Sequence, residues 1–107
     1  MISNVLVTGG SRGIGRAVCV RLASEGRHII INYVSNEAAA RETLSLVESA
    51  GGTGELLKFD VGDIAETSAA LKSWQEAHPD EYIDVLVNNA GIRRDNLLLW
   101  MEPEDWF

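Results

Sequence analysis

The chain has 107 residues, 46% of them hydrophobic, a net charge of −7 at pH 7 and a single cysteine. That length holds one modest domain at most, with residues 1–107 all part of a single domain, and the apolar share argues against disorder. The acidic balance argues against nucleic acid and anionic membranes as partners, since both demand a basic surface.

Lone Cys19 excludes an internal disulfide and fits a reducing cytoplasm. No apolar run approaches the roughly 20 residues of a membrane span. Met1 leads almost straight into the first predicted strand without a signal-sequence pattern, so a cytoplasmic location is expected.

In chain order, Val5-Leu6-Val7 is a short apolar run that fits a fully buried parallel strand. Gly13 to about Ser24 follows as a helix, with Ile14, Ala17, Val18 and Leu22 at helical spacing and Gly26 as its stop. Ile29-Ile30-Ile31 is a second buried strand, β-branched throughout. Ser35 or Asn36 caps a second helix with Ala40, Leu44 and Val47 inward, ending at Gly51-Gly52. Leu56 to Phe59 reads as a third strand. Asp63-Ile64-Ala65-Glu66 has the spacing of a capping box and opens a third helix that carries Ile64, Leu71 and Trp74 and stops at His78-Pro79. Val85-Leu86-Val87 is the fourth strand.

Repeated βα units with buried strands predict a parallel sheet with right-handed crossovers: an α/β, three-layer α/β/α, doubly wound fold of Rossmann type, of which the chain supplies the first four units. Ligands of such sheets bind beyond the carboxyl ends of the strands. Thr8–Gly15, Asn32–Ser35, Asp60-Val61 and Asn88–Gly91 fall at those ends. The first of these, Thr8-Gly-Gly-Ser-Arg-Gly-Ile-Gly15, places glycines between a strand and a helix start. A helix start offers unpaired N–H groups and partial positive charge, and glycines let a diphosphate approach where side chains would block it. No His, Cys or carboxylate spacing suggests a metal site.

Thr8–Gly15 resembles the T-G-x-x-x-G-x-G loop of the short-chain dehydrogenase/reductases, and Asn88-Asn89-Ala90-Gly91 resembles that family's N-N-A-G motif. The stretch from Asp84 to Leu98 is most similar to the branch that reduces 3-oxoacyl groups on acyl carrier protein. The resemblance covers the whole chain but only the first half of such an enzyme, so the expected fold is truncated. It implies a cofactor site built from Gly9, Ser11, Arg12, Gly13, Ile14 and Gly15 around the pyrophosphate, Asp60 and the Val61 backbone at the adenine, and Asn89, Ala90 and Gly91 along the ribose. Asn88 and Thr8 are expected to brace neighbouring strands.

Cofactor choice rests on charge after the second strand. A carboxylate there would bond a ribose 2′-OH and repel a 2′-phosphate. The chain has Asn32, Tyr33, Val34, Ser35 and Asn36 instead, and Arg12 in the glycine loop favours phosphate through charge and forked donors. NADP(H) is therefore expected, with Asn32, Tyr33 and Ser35 in its pocket.

The family's catalytic Ser and Tyr-x-x-x-Lys do not occur: Tyr33 precedes Glu37 by four residues, and Tyr82 precedes Leu86. No catalytic residue is assigned to this chain, which is expected to contribute cofactor binding alone and to be inactive by itself. For the parent enzyme the resemblance implies NADPH-dependent reduction of a 3-oxoacyl thioester on acyl carrier protein, as in fatty acid synthesis, and a homo-oligomer, a tetramer in the family. Other short-chain reductases acting on acyl-CoA, steroids or sugars remain open, as does a non-catalytic dinucleotide-binding fragment. The apolar run Asn96–Met101 is expected to pack against later helices, and Glu102-Pro103 to open the next one.

Overall fold

A computed structural model describes residues 3–11 and 13–89. Its elements alternate as predicted: β1 (Asn4–Val7), α1 (Gly13–Ala23), β2 (His28–Tyr33), α2 (Glu37–Ser49), β3 (Thr53–Lys58), α3 (Ile64–Ala77) and β4 (Val85–Val87). Among the described residues every strand pairing is parallel, in the order β3-β2-β1-β4. The chain steps outward from β1 to β3 and then returns to the far side of β1 for β4. That reversal lies between β1 and β4, and a doubly wound sheet opens its ligand crevice at the carboxyl ends beside such a point.

Alternation along the strands builds a core on each face. Val5, Val7, Ile29 and Ile31 pack with Cys19, Ala23 and Val47 under α1 and α2. Leu6 and Ile30 pack with Phe59 and Trp74 under α3. Both faces are covered, as the expected three-layer α/β/α arrangement requires.

Several details depart from the sequence expectation. The buried stripe of α1 is Gly15, Cys19 and Ala23, while Ile14 is 76% exposed. Val18 and Leu22 of the predicted stripe pack against the core while Ile14 and Ala17 face outward, because the small residues Gly15, Cys19 and Ala23 form the centre of the buried face. In α2, Asn36 rather than Ser35 is the cap, its side chain accepting from the Ala39 amide at 3.0 Å. The buried residues there are Ala40, Thr43 and Val47, with Leu44 only partly buried.

Asp63 caps α3 through the Glu66 amide at 3.0 Å, yet Glu66 does not reciprocate as in a capping box: its carboxylate accepts from the Asp60 amide at 3.1 Å. Ile64 is exposed, and Thr67 and Trp74 form the buried stripe. β3 starts at Thr53, three residues before the predicted start, because backbone pairing with β2 overrides the weak strand preference of Gly54 and Glu55.

Candidate functional site

The turn after β1 is fixed from its inner side. Gly9 and Gly13 adopt left-handed backbone angles, with φ of 64° and 62°. The Gly9 amide donates to Asn32 Oδ1 and the Gly10 amide to the Asn32 carbonyl, each at 3.0 Å. The Gly9 carbonyl accepts from Asn89 Nδ2 at 3.1 Å. A Cβ on Gly15 would sit 2.1 Å from the Gly9 carbonyl oxygen and 2.6 Å from Asn89 Nδ2, and one on Gly10 would press on Cys19 and Ile31.

The outer side is different. Among the described residues a Cβ on Gly13 would meet nothing within 4 Å, and Ile14 stands exposed beside it. The amides of the first turn of α1 have no acceptor inside the helix and sit at its positive end. The loop is thus closed toward the sheet and open at the mouth of α1, a shape and charge that fit a diphosphate.

At the end of β2 the expectation needs correction. Asn32 and Tyr33 lie within the strand rather than after it. Asn32 is 1% exposed, and its Nδ2 donates to the Phe59 carbonyl at 2.8 Å while its Oδ1 accepts from Gly9. Its side-chain bonds run inward and shape the turn. Tyr33 is buried except at its edge, its hydroxyl 3.5 Å from Glu37, and burial followed by the Glu37 charge holds its pKa above the usual value. Val34, Ser35 and Asn36 are exposed. Glu37, the first acid after β2, is engaged by Arg41 Nε at 2.7 Å.

Asp60, after β3, accepts the Gly62 amide on Oδ1 at 2.8 Å, and its carbonyl accepts from Thr67 Oγ1 and the Asp63 amide. Its carboxylate therefore holds a turn, and Oδ2 is left without a partner among the described residues. Val61 packs on the α3-side core.

After β4, Thr8 Oγ1 donates to Asn88 Oδ1 at 3.2 Å and accepts from the Asn89 amide at 2.9 Å. Asn88 and Thr8 join β1 to β4 as expected, and Asn89 carries that link on to Gly9. Arg12, Ala90 and Gly91, all expected in the site, lie outside the described residues, as does the run from Asn96 to Met101.

Two residues at the site had no place in the sequence reading. Arg16 donates from Nη2 to the Ser11 carbonyl at 2.8 Å and to the Ala39 carbonyl at 3.0 Å, and from Nε to Thr43 Oγ1 at 2.9 Å. Thr43 in turn donates to the Ser11 carbonyl at 3.0 Å. A cation in the first turn of a helix opposes the helix dipole, and that mismatch was the available signal. Behind the turn, burial pushes the Cys19 thiol up to about 12. Among the described residues no cluster is arranged to hold a metal, and no helix is long and apolar enough to cross a membrane.

Residues 3–107 match the family profile described as short chain dehydrogenase. The chain is 38% identical over 106 residues to the 3-oxoacyl-[acyl-carrier-protein] reductase FabG of Staphylococcus aureus, covering 99% of this chain and 42% of that protein. It spans about two fifths of the length of such relatives. Among solved structures it is similar to the promiscuous reductase LugOII, which catalyses keto-reduction at C1 during lugdunomycin biosynthesis, at 44% identity and a TM-score of 0.70 over 84% of this chain and 37% of the other. It is also similar to a short-chain dehydrogenase/reductase from Burkholderia xenovorans at 27% identity and a TM-score of 0.74, over 82% of this chain and 36% of the other. The strand order, the glycine turn at the mouth of α1 and these matches agree, and the chain belongs to the short-chain dehydrogenase/reductase family.

Proposed function

We propose that this chain is the cofactor-binding part of an NADPH-dependent, cytoplasmic 3-oxoacyl-[acyl-carrier-protein] reductase. The observation that carries the cofactor reading is the two-sided glycine turn, packed against Asn89 and the sheet on one side and open at Gly13 on the other. The first-turn amides of α1, including those of Ile14 and Gly15, would hold the diphosphate, with Ser11 and Arg12 beside it and exposed Ile14 giving apolar contact. Asp60 Oδ2 and the Val61 backbone would meet the adenine, and Asn89, Ala90 and Gly91 would follow the ribose. When bound, NADPH supplies a hydride.

Preference for a 2′-phosphate is supported by the end of β2. Tyr33, Val34, Ser35 and Asn36 bring no carboxylate, and Glu37 is already engaged by Arg41. The relatives named for acyl-carrier-protein substrates support the same class of thioester for the whole protein, and a homo-oligomer is proposed with it. The chain itself offers no Tyr-x-x-x-Lys to donate a proton to the substrate oxygen. A second reading, reduction of a non-thioester ketone, is favoured by the similarity to LugOII.

The test is a steady-state assay of the full-length protein with NADPH or NADH against acetoacetyl thioesters and free cyclic ketones. Faster NADPH oxidation with the thioester supports the proposal. Turnover of cyclic ketones alone moves it to the second reading. Equal rates with both cofactors remove the 2′-phosphate argument.

A further inference from the structure

We propose that Arg16 is a positioning residue that clamps the glycine turn to α2 and thereby sets the affinity for the dinucleotide; the proposal rests on the cofactor reading above. Arg16 has helical backbone in the first turn of α1, where a free cation would be repelled by the helix's positive end. Its guanidinium is not left in water. Nη2 bridges the Ser11 and Ala39 carbonyls, Nε meets Thr43 Oγ1, and Nη1 reaches Glu42 at 2.7 Å. The side chain is only 24% exposed.

Thr43 completes the arrangement. It is fully buried on the inner stripe of α2, and its hydroxyl also lies against the Ser11 carbonyl. One planar fork therefore holds a loop carbonyl, a helix carbonyl and a buried hydroxyl in a single geometry. A lysine ammonium, a point charge on a flexible stem, cannot reproduce that fork.

The consequence is mechanical. Gly9 and Gly10 are tied to β2 through Asn32, and Gly9 to the end of β4 through Asn89. Ser11 is the next residue along, and its carbonyl is held by Arg16 and Thr43. The same fork holds Ala39 in the first turn of α2, the helix that begins beside the proposed 2′-phosphate position. Arg16 thus fixes the gap between the diphosphate turn and the ribose pocket. Losing it leaves each half formed but lets their spacing drift, which weakens binding of a ligand that must span both.

The experiment compares full-length wild type with Arg16→Met, Arg16→Lys, Thr43→Val and Glu42→Gln, reading Kd for NADPH and NADH by calorimetry, kcat and KM for NADPH, and urea unfolding. Arg16→Met is expected to raise Kd and KM for NADPH about 10- to 100-fold, the scale on which outer-layer partners tune a bound group, with kcat at saturation changed by less than about threefold. Arg16→Lys is expected to recover little of that loss, Thr43→Val to lose part of it, and Glu42→Gln to bind like wild type.

Wild type that binds neither dinucleotide overturns the cofactor reading and this proposal with it. Wild type that binds, with Arg16→Met equally tight at temperatures where both are folded, overturns the clamp alone. Full recovery by Arg16→Lys also overturns it, since charge and not the fork would then be what matters. Should Arg16→Met not fold, the Lys and Thr43 variants decide by the same criteria.

Discussion

Asn32 is a polar residue in a β-branched strand whose side-chain bonds build the turn after β1. Its amide joins the Gly9 amide to the Phe59 carbonyl across three strand ends. Replacing it by Leu leaves the buried Phe59 carbonyl and the part-buried Gly9 amide without this partner, at about 1–3 kcal/mol for a buried group. Asn32→Leu should therefore lower urea stability by an amount of that order. The sequence placed Asn32 at a strand end, but only tertiary contacts reveal that its bonds point inward to Gly9 and Phe59.

Ser35, by contrast, is exposed after β2. Ser35→Asp should weaken NADPH while leaving NADH little changed, since the new carboxylate would repel only the 2′-phosphate. Equal effects on the two cofactors, read from their Kd values, would place that phosphate elsewhere. Cys19 yields a prediction with a definite sign. Its thiol is raised from 9.0 to about 12 in the fold, so the folded state holds the proton more tightly than the unfolded one. Its contribution to stability is complete below pH 9 and is lost as pH climbs from there toward 12. Iodoacetamide at pH 8 should label Cys19 only after unfolding, whereas rapid labelling of the folded protein would contradict its burial.

At the scale of elements, chain order and type were readable because each strand is a compact apolar run and each helix has a recognisable start or stop. Asn36, Asp63 and Gly26 are examples. The inner faces of the helices were less readable. α1 buries Gly15, Cys19 and Ala23, residues that carry little hydrophobic signal, while exposed Ile14 carries a strong one.

The two glycines of the turn separate these effects. Gly15→Ala drives a Cβ into the Gly9 carbonyl and Asn89, and overpacking of that kind costs about 1–3 kcal/mol with displacement of the turn. Gly13→Ala meets open space but a left-handed φ of 62°, which costs about 1–2 kcal/mol. Both should weaken NADPH binding. Only Gly15→Ala should also disturb the Asn89 side-chain amide resonances in the cofactor-free protein.

Across the whole molecule, a net charge of −7 is carried by a protein proposed to bind an anionic dinucleotide. On that proposal attraction is local, from the open end of α1, rather than from the overall field. The sheet order β3-β2-β1-β4 makes this workable, because it sets the ends of β1 and β4 side by side and lets Thr8, Asn88 and Asn89 lock them together. That convergence was legible from strand–helix alternation and the two motifs. The Arg16–Thr43 clamp was not, since it joins residues 27 apart in sequence through a bend that no periodicity encodes.

The most direct test of the central claim is a crystal structure of the full-length protein with NADPH. The account predicts diphosphate oxygens about 3 Å from the first-turn amide nitrogens of α1, at Ile14 and Gly15. A diphosphate seated away from that turn would contradict it.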